Sequence, residues 1–496
     1  MMSASDRAGY RPSWYTATAA SPAARAPLAA DLDVDVCVIG AGLAGLTTAR
    51  EIARSGWSVA VLEAQRIAWN ASAQNCGFVL PGFAAPASRV AERVGLAHAK
   101  ELWALSQAGL DYVRATIEEI GTAEIDPIGG WLNASKLDDT KRIGATLQLL
   151  GEDLGVEVEG WTRARVREVL RTNCYFDAIH FPRAFHMNPL QYALALAALA
   201  EAAGAHIYEQ TPAVAIDPGG VRKRVETPQG RLRAAHVVLA GNVHIGALMP
   251  RIARTLLPIW SYVGVTTPLG AGLEHAITYD GAVSDGAGAD IHYRIIDGDR
   301  LLVCGRATVW EADPRAHADS LAADIAALYP QLGGVEIGHQ WSAVLGRTIH
   351  GMPQIGELSP GIWLASGFGG HGCNTTAMAG NLIARAIVDG DDAWRLFLPF
   401  ELIWAGGAAG RAAAQVGYWW TRKRDAAKAR QAKRRAGRPG DAPASAPWPQ
   451  PAERAASGAE PSDPPATDTM QVPEVALPAD PDLEVPTRRV GARRVP

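Results

Sequence analysis

"VCVIGAGLAGLTTAREIARSGWSVAVLEA", residues 36–64, decides the fold. Its first residues are a β-branched run ending at Gly40; "GLTTAREIARSG" (45–56) is helical and stops at Gly56; "SVAVLE" (58–63) is a second strand. Two strands joined by one helix in so short a stretch pair in parallel through a right-handed crossover. Gly40, Gly42 and Gly45 have G-x-G-x-x-G spacing, in the strand-to-helix setting that this dinucleotide-binding fingerprint requires. Gly40 permits the tight turn, Gly42 lets the backbone approach a pyrophosphate, and Gly45 lets helix and strand pack closely. Free N–H groups and the dipole at the helix start favour the anion. Glu63 ends the second strand 18 residues past Gly45, close to where an acid that binds ribose hydroxyls is expected. An acid there disfavours a 2′-phosphate and so argues against NADP. The fingerprint alone does not separate FAD from NAD.

The next segment, "AQRIAWNASAQNCGFVLPGF" (64–83), favours FAD. A nicotinamide domain usually runs on into another helix here. This stretch instead holds Asn70, Ser72, Gln74, Asn75 and Gly77, and can pass extended along a long cofactor while hydrogen-bonding to it. An ordinary surface loop is the alternative. A second glycine-rich site, "GFGGHGCNTTAMAG" (367–380), follows the strand "IWLAS" and precedes a helix that Asn374 or Thr375 can cap. Two such sites, more than 300 residues apart, can hold both ends of one extended molecule. The first suits the pyrophosphate. The second suits a flavin, whose N1/C2 edge becomes negative on reduction; a helix N-terminus stabilises such charge by roughly 0.3–2 kcal/mol. A plain glycine turn into a packing helix is the competing reading.

The 496 residues leave room for two or three domains, and 48% hydrophobic with 20% charged residues is a globular composition. A net charge of −4 gives no signal for nucleic acid. Cys37, Cys76, Cys174, Cys304 and Cys373 are scattered, odd in number and without a C-x-x-C pair. That argues against a disulfide framework and a zinc site, so no metal is expected, and it favours a reducing cytoplasm. The N-terminus has no apolar run of the secretory type. "LFLPFELIWAGGAAG" (396–410) carries Pro399 and Glu401 and is too short for the ~20 apolar residues of a transmembrane span. Helices are expected at 100–121 and 188–204, the latter with Asn188 as cap and Pro189 in its first turn, and strands at 205–210 and 234–241. Residues 1–30 read as a flexible lead-in, and residues 425–496 as a disordered Ala/Pro-rich tail. The basic run at 422–435 reads as a solvated helix end; peripheral contact with a membrane is the lesser reading.

These features resemble the D-amino-acid-oxidase-like (DAO) superfamily of FAD-dependent amine oxidoreductases, and within it the gamma-glutamylputrescine oxidoreductase branch. "SWY" (13–15) resembles that branch's N-terminal motif, and "ASAQNCG" (71–77) resembles its ASGRNGG. "HMNPLQYALALAALAEAAGAHIYEQTPAVAI" (186–216) is similar to its H-x-x-P-L helix and following strand, and "AAHVVLAGN" (234–242) to its VVLATG strand. "GFGGHGCNTTAMAG" resembles its GYSGHGVNATHLAG, and "YWWTRKRD" (418–425) its closing WYRLRD. Gln74 and Cys76 stand where the family usually has Arg and Gly, and Cys373 where it has Val. Both cysteines would then lie near the flavin, as small packing residues or as groups that tune it.

The resemblance implies an α/β fold. In it a Rossmann-like (GR2/DAO-type) FAD-binding domain (31–84, 201–249, 341–424) is interleaved with a substrate domain of mixed β-sheet plus helices (85–200, 250–340). It implies FAD as cofactor, held by Gly40, Ala41, Gly42, Gly45, Glu63, Ala64, Ser72, Gln74, Asn75, Cys76, Gly77, Val214, Gly241, Gly367, Gly369, Gly370, His371 and Gly372. The implied reaction moves hydride from a C–H beside an amine nitrogen to flavin N5, and water then hydrolyses the imine. The partners are a small-molecule amine and O2 or another electron acceptor. His371 is the catalytic candidate, with a structural histidine as the alternative. Tyr293 and Arg294 sit where relatives line the substrate cavity, and Arg294 could pair with a carboxylate; a strand arginine facing solvent is the alternative. Trp341 is either an aromatic wall or core. Sarcosine-oxidase-like relatives use a lysine for oxygen activation, and no lysine occurs between Lys223 and Lys423. A respiratory-chain-linked amino-acid dehydrogenase is the second enzyme reading. A non-catalytic flavin-binding scaffold with a partner-recruiting tail is the reading from another class.

Overall fold

The computed structural model describes residues 9–19, 22–285 and 291–436. The opening β-branched run forms the strand Leu32–Ile39, the helix Leu43–Arg54 follows the glycine turn, and the strand Val59–Leu62 returns parallel to the first. On its other side Leu32–Ile39 pairs in parallel with Arg231–Leu239, which pairs in parallel with Ile362–Ser366. His206–Tyr208 extends the sheet beyond Val59–Leu62, and Gln354–Ser359 closes the far edge antiparallel. Val59–Leu62 and Ile362–Ser366 are buried throughout, as the near-continuous apolar runs of a parallel sheet covered on both faces require. The order of strands reverses between Leu32–Ile39 and Arg231–Leu239, and a crevice opens at their carboxyl ends, where such sheets bind ligands.

A second, mixed sheet stands beside it. Its long strands Leu257–Thr266, Arg300–Thr308 and Ile337–Arg347 pair antiparallel, and His292–Ile296 continues from Arg300–Thr308. Ile128–Ala134 and Ala178–His186 complete the broad face. Two sheets from interleaved segments match the expected architecture, but the seams fall elsewhere. The helices Leu96–Ile120 and Pro189–Ala202, expected in the substrate half, pack against Gly372–Asp389 and Leu43–Arg54 of the cofactor half. Phe78–Val79 pairs with Ala178–His186 in the second sheet, and Ile337–Arg347 runs across the expected boundary at 341. Asn188 caps Pro189–Ala202 as expected, accepting from the N–H groups of Leu190 and Gln191.

Two terminal expectations need correction. The described part of the lead-in, 9–19 and 22–30, is packed: Ser13 caps a short helix Trp14–Thr18 in a reciprocal capping box, and Tyr15 and Leu28 are buried. Arg25 reaches Glu201 with two bonds of 2.6 and 2.7 Å, and its N–H donates to Glu209. At the other end, residues 425–436 continue the helix Gly407–Ala436, because Ala, Lys, Arg and Gln are among the best helix formers. The rest of the expected tail, 437–496, lies outside the described residues. Among the described residues no helix is long and apolar enough to cross a membrane.

Glu209 is fully buried. It pairs with the buried Arg66 at 2.9 Å and accepts from the N–H groups of Arg25 and Ile67, so it fastens the lead-in to the segment after Glu63. Glu209→Ala leaves that guanidinium unpaired and is expected to lower the free energy of unfolding by about 3–5 kcal/mol, read from denaturant curves.

Candidate active site

The site begins at the glycine turn. Gly40 has φ +107°, and a Cβ on Gly45 would stand 2.0 Å from the Gly40 carbonyl oxygen, so no larger residue lets the helix start so close to the strand. The N–H of Leu43 donates to Ser72 Oγ at 3.1 Å, which ties the helix start to the following loop. Glu63 accepts from the N–H of Ala41 through Oε2 and from the N–H of Gln65 through Oε1, both at 2.8 Å. Burial pushes its pKa up, while those hydrogen bonds pull it down. Ala64, Val214 and Gly241 line the same end of the crevice.

From here a cavity of about 1730 Å³ extends between the sheets to Gly369, Gly370, His371 and Gly372. The helix expected to start at Asn374 or Thr375 starts at Gly372, after a 3₁₀ turn over Gly369–His371. Neither residue caps it. Asn374 is buried and donates to Ser106 Oγ at 2.9 Å, and the Thr375 hydroxyl donates back to the His371 carbonyl. A Cβ added at Gly370 or Gly372 would meet no protein atom within 4 Å, so the backbone there faces open space. His371 Nδ1 is buried with no hydrogen-bond partner. Burial first, then the nearby charges of His292 and Arg347, push the His371 pKa down to about 4, so the ring is neutral at pH 7. The residues present therefore fit FAD: a turn and helix start for the pyrophosphate, an acid for the ribose, and an open backbone floor with one unsatisfied ring nitrogen for the flavin.

The loop between these ends is not simply extended; it contains a short helix, Ala71–Gln74. Gln74, Asn75 and Cys76 line the cavity, and the loop is fastened from below by two residues expected to line the substrate site. Trp341 is buried and donates through Nε1 to the Gln74 carbonyl at 2.9 Å. Arg294 is buried and donates through Nε to the Cys76 carbonyl at 2.9 Å; its other nitrogens reach His186 Nδ1, the Tyr15 hydroxyl and the Met187 carbonyl. Gly77 packs directly above, where a Cβ would stand 2.0 Å from the Met187 carbonyl oxygen. Tyr293 points to the opposite face of its strand, into a buried trio with Tyr175 and Tyr329. None of Tyr293, Arg294 and Trp341 is on the cavity wall. Ala41, Gly45, Gly77 and Gly367 are also off the wall and act through backbone geometry.

Cys76 is joined to Cys304 of the second sheet in a disulfide, whereas the sequence argued against a disulfide framework and read Cys76 as a packing or flavin-tuning residue. Their separation of 228 residues hides the pairing from the sequence. Cys373 is buried, and its Sγ lies 3.4 Å from Asn75 Oδ1.

Several cavity residues were missed. His292, the strand neighbour of Tyr293, faces the cavity, with Nδ1 2.6 Å from Ser284 Oγ, which also accepts from Trp131 Nε1 at 2.7 Å. Arg347 closes the strand Ile337–Arg347 beside Phe368, and among the described residues it has no carboxylate partner. Partial desolvation pushes its pKa down, although the residue as a whole is still exposed. The acids of the lining are Glu63, at the glycine-turn end, and Glu311, which pairs with Arg11. A charged residue that ends an otherwise apolar strand, "WSAVLGR", was the available signal.

A parallel sheet with a crevice at its strand-order reversal stands beside a mixed sheet that walls a long cavity, an α/β architecture with room for an extended dinucleotide. The model of the family "DAO: FAD dependent oxidoreductase" matches residues 35–386, and the chain belongs to that family. The chain is 29% identical over 384 residues to the Probable oxidoreductase OrdL of Haemophilus influenzae, covering 75% of this chain and 86% of that one. It is 28% identical over 384 residues to the gamma-glutamylputrescine oxidoreductase of Escherichia coli, covering 76% and 88%. Among solved structures, glycine oxidase from Geobacillus kaustophilus superposes with a TM-score of 0.62 at 21% identity, over 75% of this chain and 99% of that one. L-proline dehydrogenase from P. horikoshii gives 0.62 at 19% identity, over 75% and 100%. The protein is thus an FAD-dependent oxidoreductase with the expected fold and cofactor.

Gly370→Val puts a branched side chain into the open space over the floor. It is expected to leave the thermal stability of the apoprotein unchanged and to weaken FAD binding at least tenfold, read by flavin fluorescence on titration. Peptide mapping without reductant is expected to recover Cys76 and Cys304 in one linked fragment.

Proposed function

We propose that the chain oxidises a C–N bond of a small amine or amino acid that carries a carboxylate, with gamma-glutamylputrescine or a related polyamine derivative as the leading candidate. The observation that carries this reading is Arg347, a cavity guanidinium that has no carboxylate partner among the described residues, near His371 and the glycine floor. A substrate carboxylate supplies the missing partner through charge-assisted hydrogen bonds. The same positive charge disfavours an ammonium nearby, which leaves the substrate nitrogen neutral with its lone pair available. His371, neutral and with Nδ1 unpartnered, can accept a hydrogen bond at the floor without adding charge. Trp131, Phe78 and Leu80 give the wall apolar surface that limits water. FAD, when bound, accepts the hydride. The names of the Escherichia coli relative and of glycine oxidase, with their amine and amino-acid substrates, support the same class.

The test is anaerobic titration of the holoprotein with gamma-glutamylputrescine, other amines and amino acids, following the visible flavin band. The expected result is bleaching by a carboxylate-bearing amine. Arg347→Ala is expected to raise the half-saturating concentration of that substrate by about 10–100-fold, and to leave unchanged the response to an analogue lacking the carboxylate. His371 is protonated only as pH falls to about 4, so it should leave the rate of bleaching flat above that pH, and a rise of rate with pH reports loss of the substrate's ammonium proton. Absence of bleaching by every amine overturns the reading.

A further inference from the structure

We propose that the outer face of the helix Gly407–Ala436 is a seat on an anionic lipid surface. Two faces of this helix differ in chemistry. The inner face docks on the second sheet: Gln415 accepts from the N–H of Val309, and the Tyr418 hydroxyl accepts from the N–H of Ala307, both at 3.0 Å. Gln415, Tyr418 and Thr421, spaced on one helical face, also line the cavity. The outer face leaves Trp419 58% and Trp420 61% exposed. A tryptophan pair held in water is unfavourable unless something covers it, and the amphipathic indole is suited to the boundary between water and acyl chains.

Charge selects the occupant. Residues 407–436 contain nine Lys and Arg against one acid, Asp425. That acid is half-buried and bonded to Arg424, whose guanidinium also stacks over Trp420 at 5.0 Å. Lys423, Arg424, Lys428 and Arg430 are exposed and follow the tryptophans along the helix. The outer face therefore presents aromatic anchors followed by cations, with no exposed acid. Indole anchors and cations are the two features that draw a peripheral surface to the boundary region and to anionic headgroups. Because the inner face of the same helix lines the cavity, seating it brings that wall of the cavity against the lipid.

The full-length holoprotein is sedimented with vesicles of phosphatidylcholine alone and of phosphatidylcholine mixed with phosphatidylglycerol, at low and high salt. The expected result is partition onto the mixed vesicles only, reversed by high salt. Lys428→Ala with Arg430→Ala is expected to weaken partition about thirtyfold, and Trp419→Ser with Trp420→Ser about tenfold. Both variants are expected to retain bound flavin and its bleaching in solution, which reports an intact fold. No partition of the native protein, or partition that survives loss of the tryptophan pair, overturns the proposal. Retention on double-stranded DNA or heparin in place of vesicles, with the tryptophans dispensable, overturns it as well.

Discussion

A buried guanidinium that has no carboxylate partner among the described residues joins the two halves of the molecule. Arg294 comes from the second sheet, yet its partners are the cofactor loop at Cys76, the entry to the helix Pro189–Ala202 at Met187, the lead-in at Tyr15, and His186. Neutral acceptors on three segments take its hydrogens, so the charge is dispersed among them instead of cancelled by one carboxylate. The arrangement also dictates the state of His186. Its Nδ1 must accept from Arg294, and its Nε2 faces the Asp280 carbonyl at 3.0 Å, which selects the neutral ring protonated on Nε2. Burial first, and the guanidinium second, push its pKa down to about 3. Trp341 and the Cys76–Cys304 bond fasten the same loop from the same sheet. The second sheet thus sets the position of the loop at Gln74–Gly77.

The cavity has an electrostatic direction. Glu63 stands at the glycine-turn end, where backbone N–H groups hold it, and cationic or neutral nitrogen groups cluster at the other end around His371, His292 and Arg347. An extended cofactor laid along it meets an acid at its ribose and positive potential near its flavin. Positive potential there would favour the anionic reduced ring of a bound flavin.

What the sequence made legible follows from how many residue types a position tolerates. Gly40 and Gly45 were readable because a Cβ collides with backbone oxygen, and no relaxation of a side chain removes that clash. Glu63 was readable because strand, turn and helix determine where the second strand ends. The face of a strand was not: alternation tells that His292 and Tyr293 point opposite ways, but not which one meets the cavity. Arg294 and Trp341 were singled out by region and turned out to support the loop, a role that depends on contacts more than 200 residues apart. The Cys76–Cys304 pairing and the isolation of Arg347 are likewise facts of tertiary proximity. Composition marks the lead-in as loose, yet a capping serine and a buried tyrosine order its described part, and the basic run 422–435 forms the helix end that its residues predict.

The interleaving of the two sheets carries a consequence for synthesis. The strand Leu32–Ile39 leaves the ribosome early, but its neighbour Arg231–Leu239 follows only after some 200 further residues, and Ile362–Ser366 later still. Until His206–Tyr208 and Arg231–Leu239 are made, both edges of the first βαβ unit are open and its apolar faces are uncovered. Non-local closure of this kind is slow and leaves sticky edges exposed. A polypeptide stopped short of residue 366 would lack a central partner of its own sheet, so the chain acquires its nucleotide crevice as a late, cooperative event of folding.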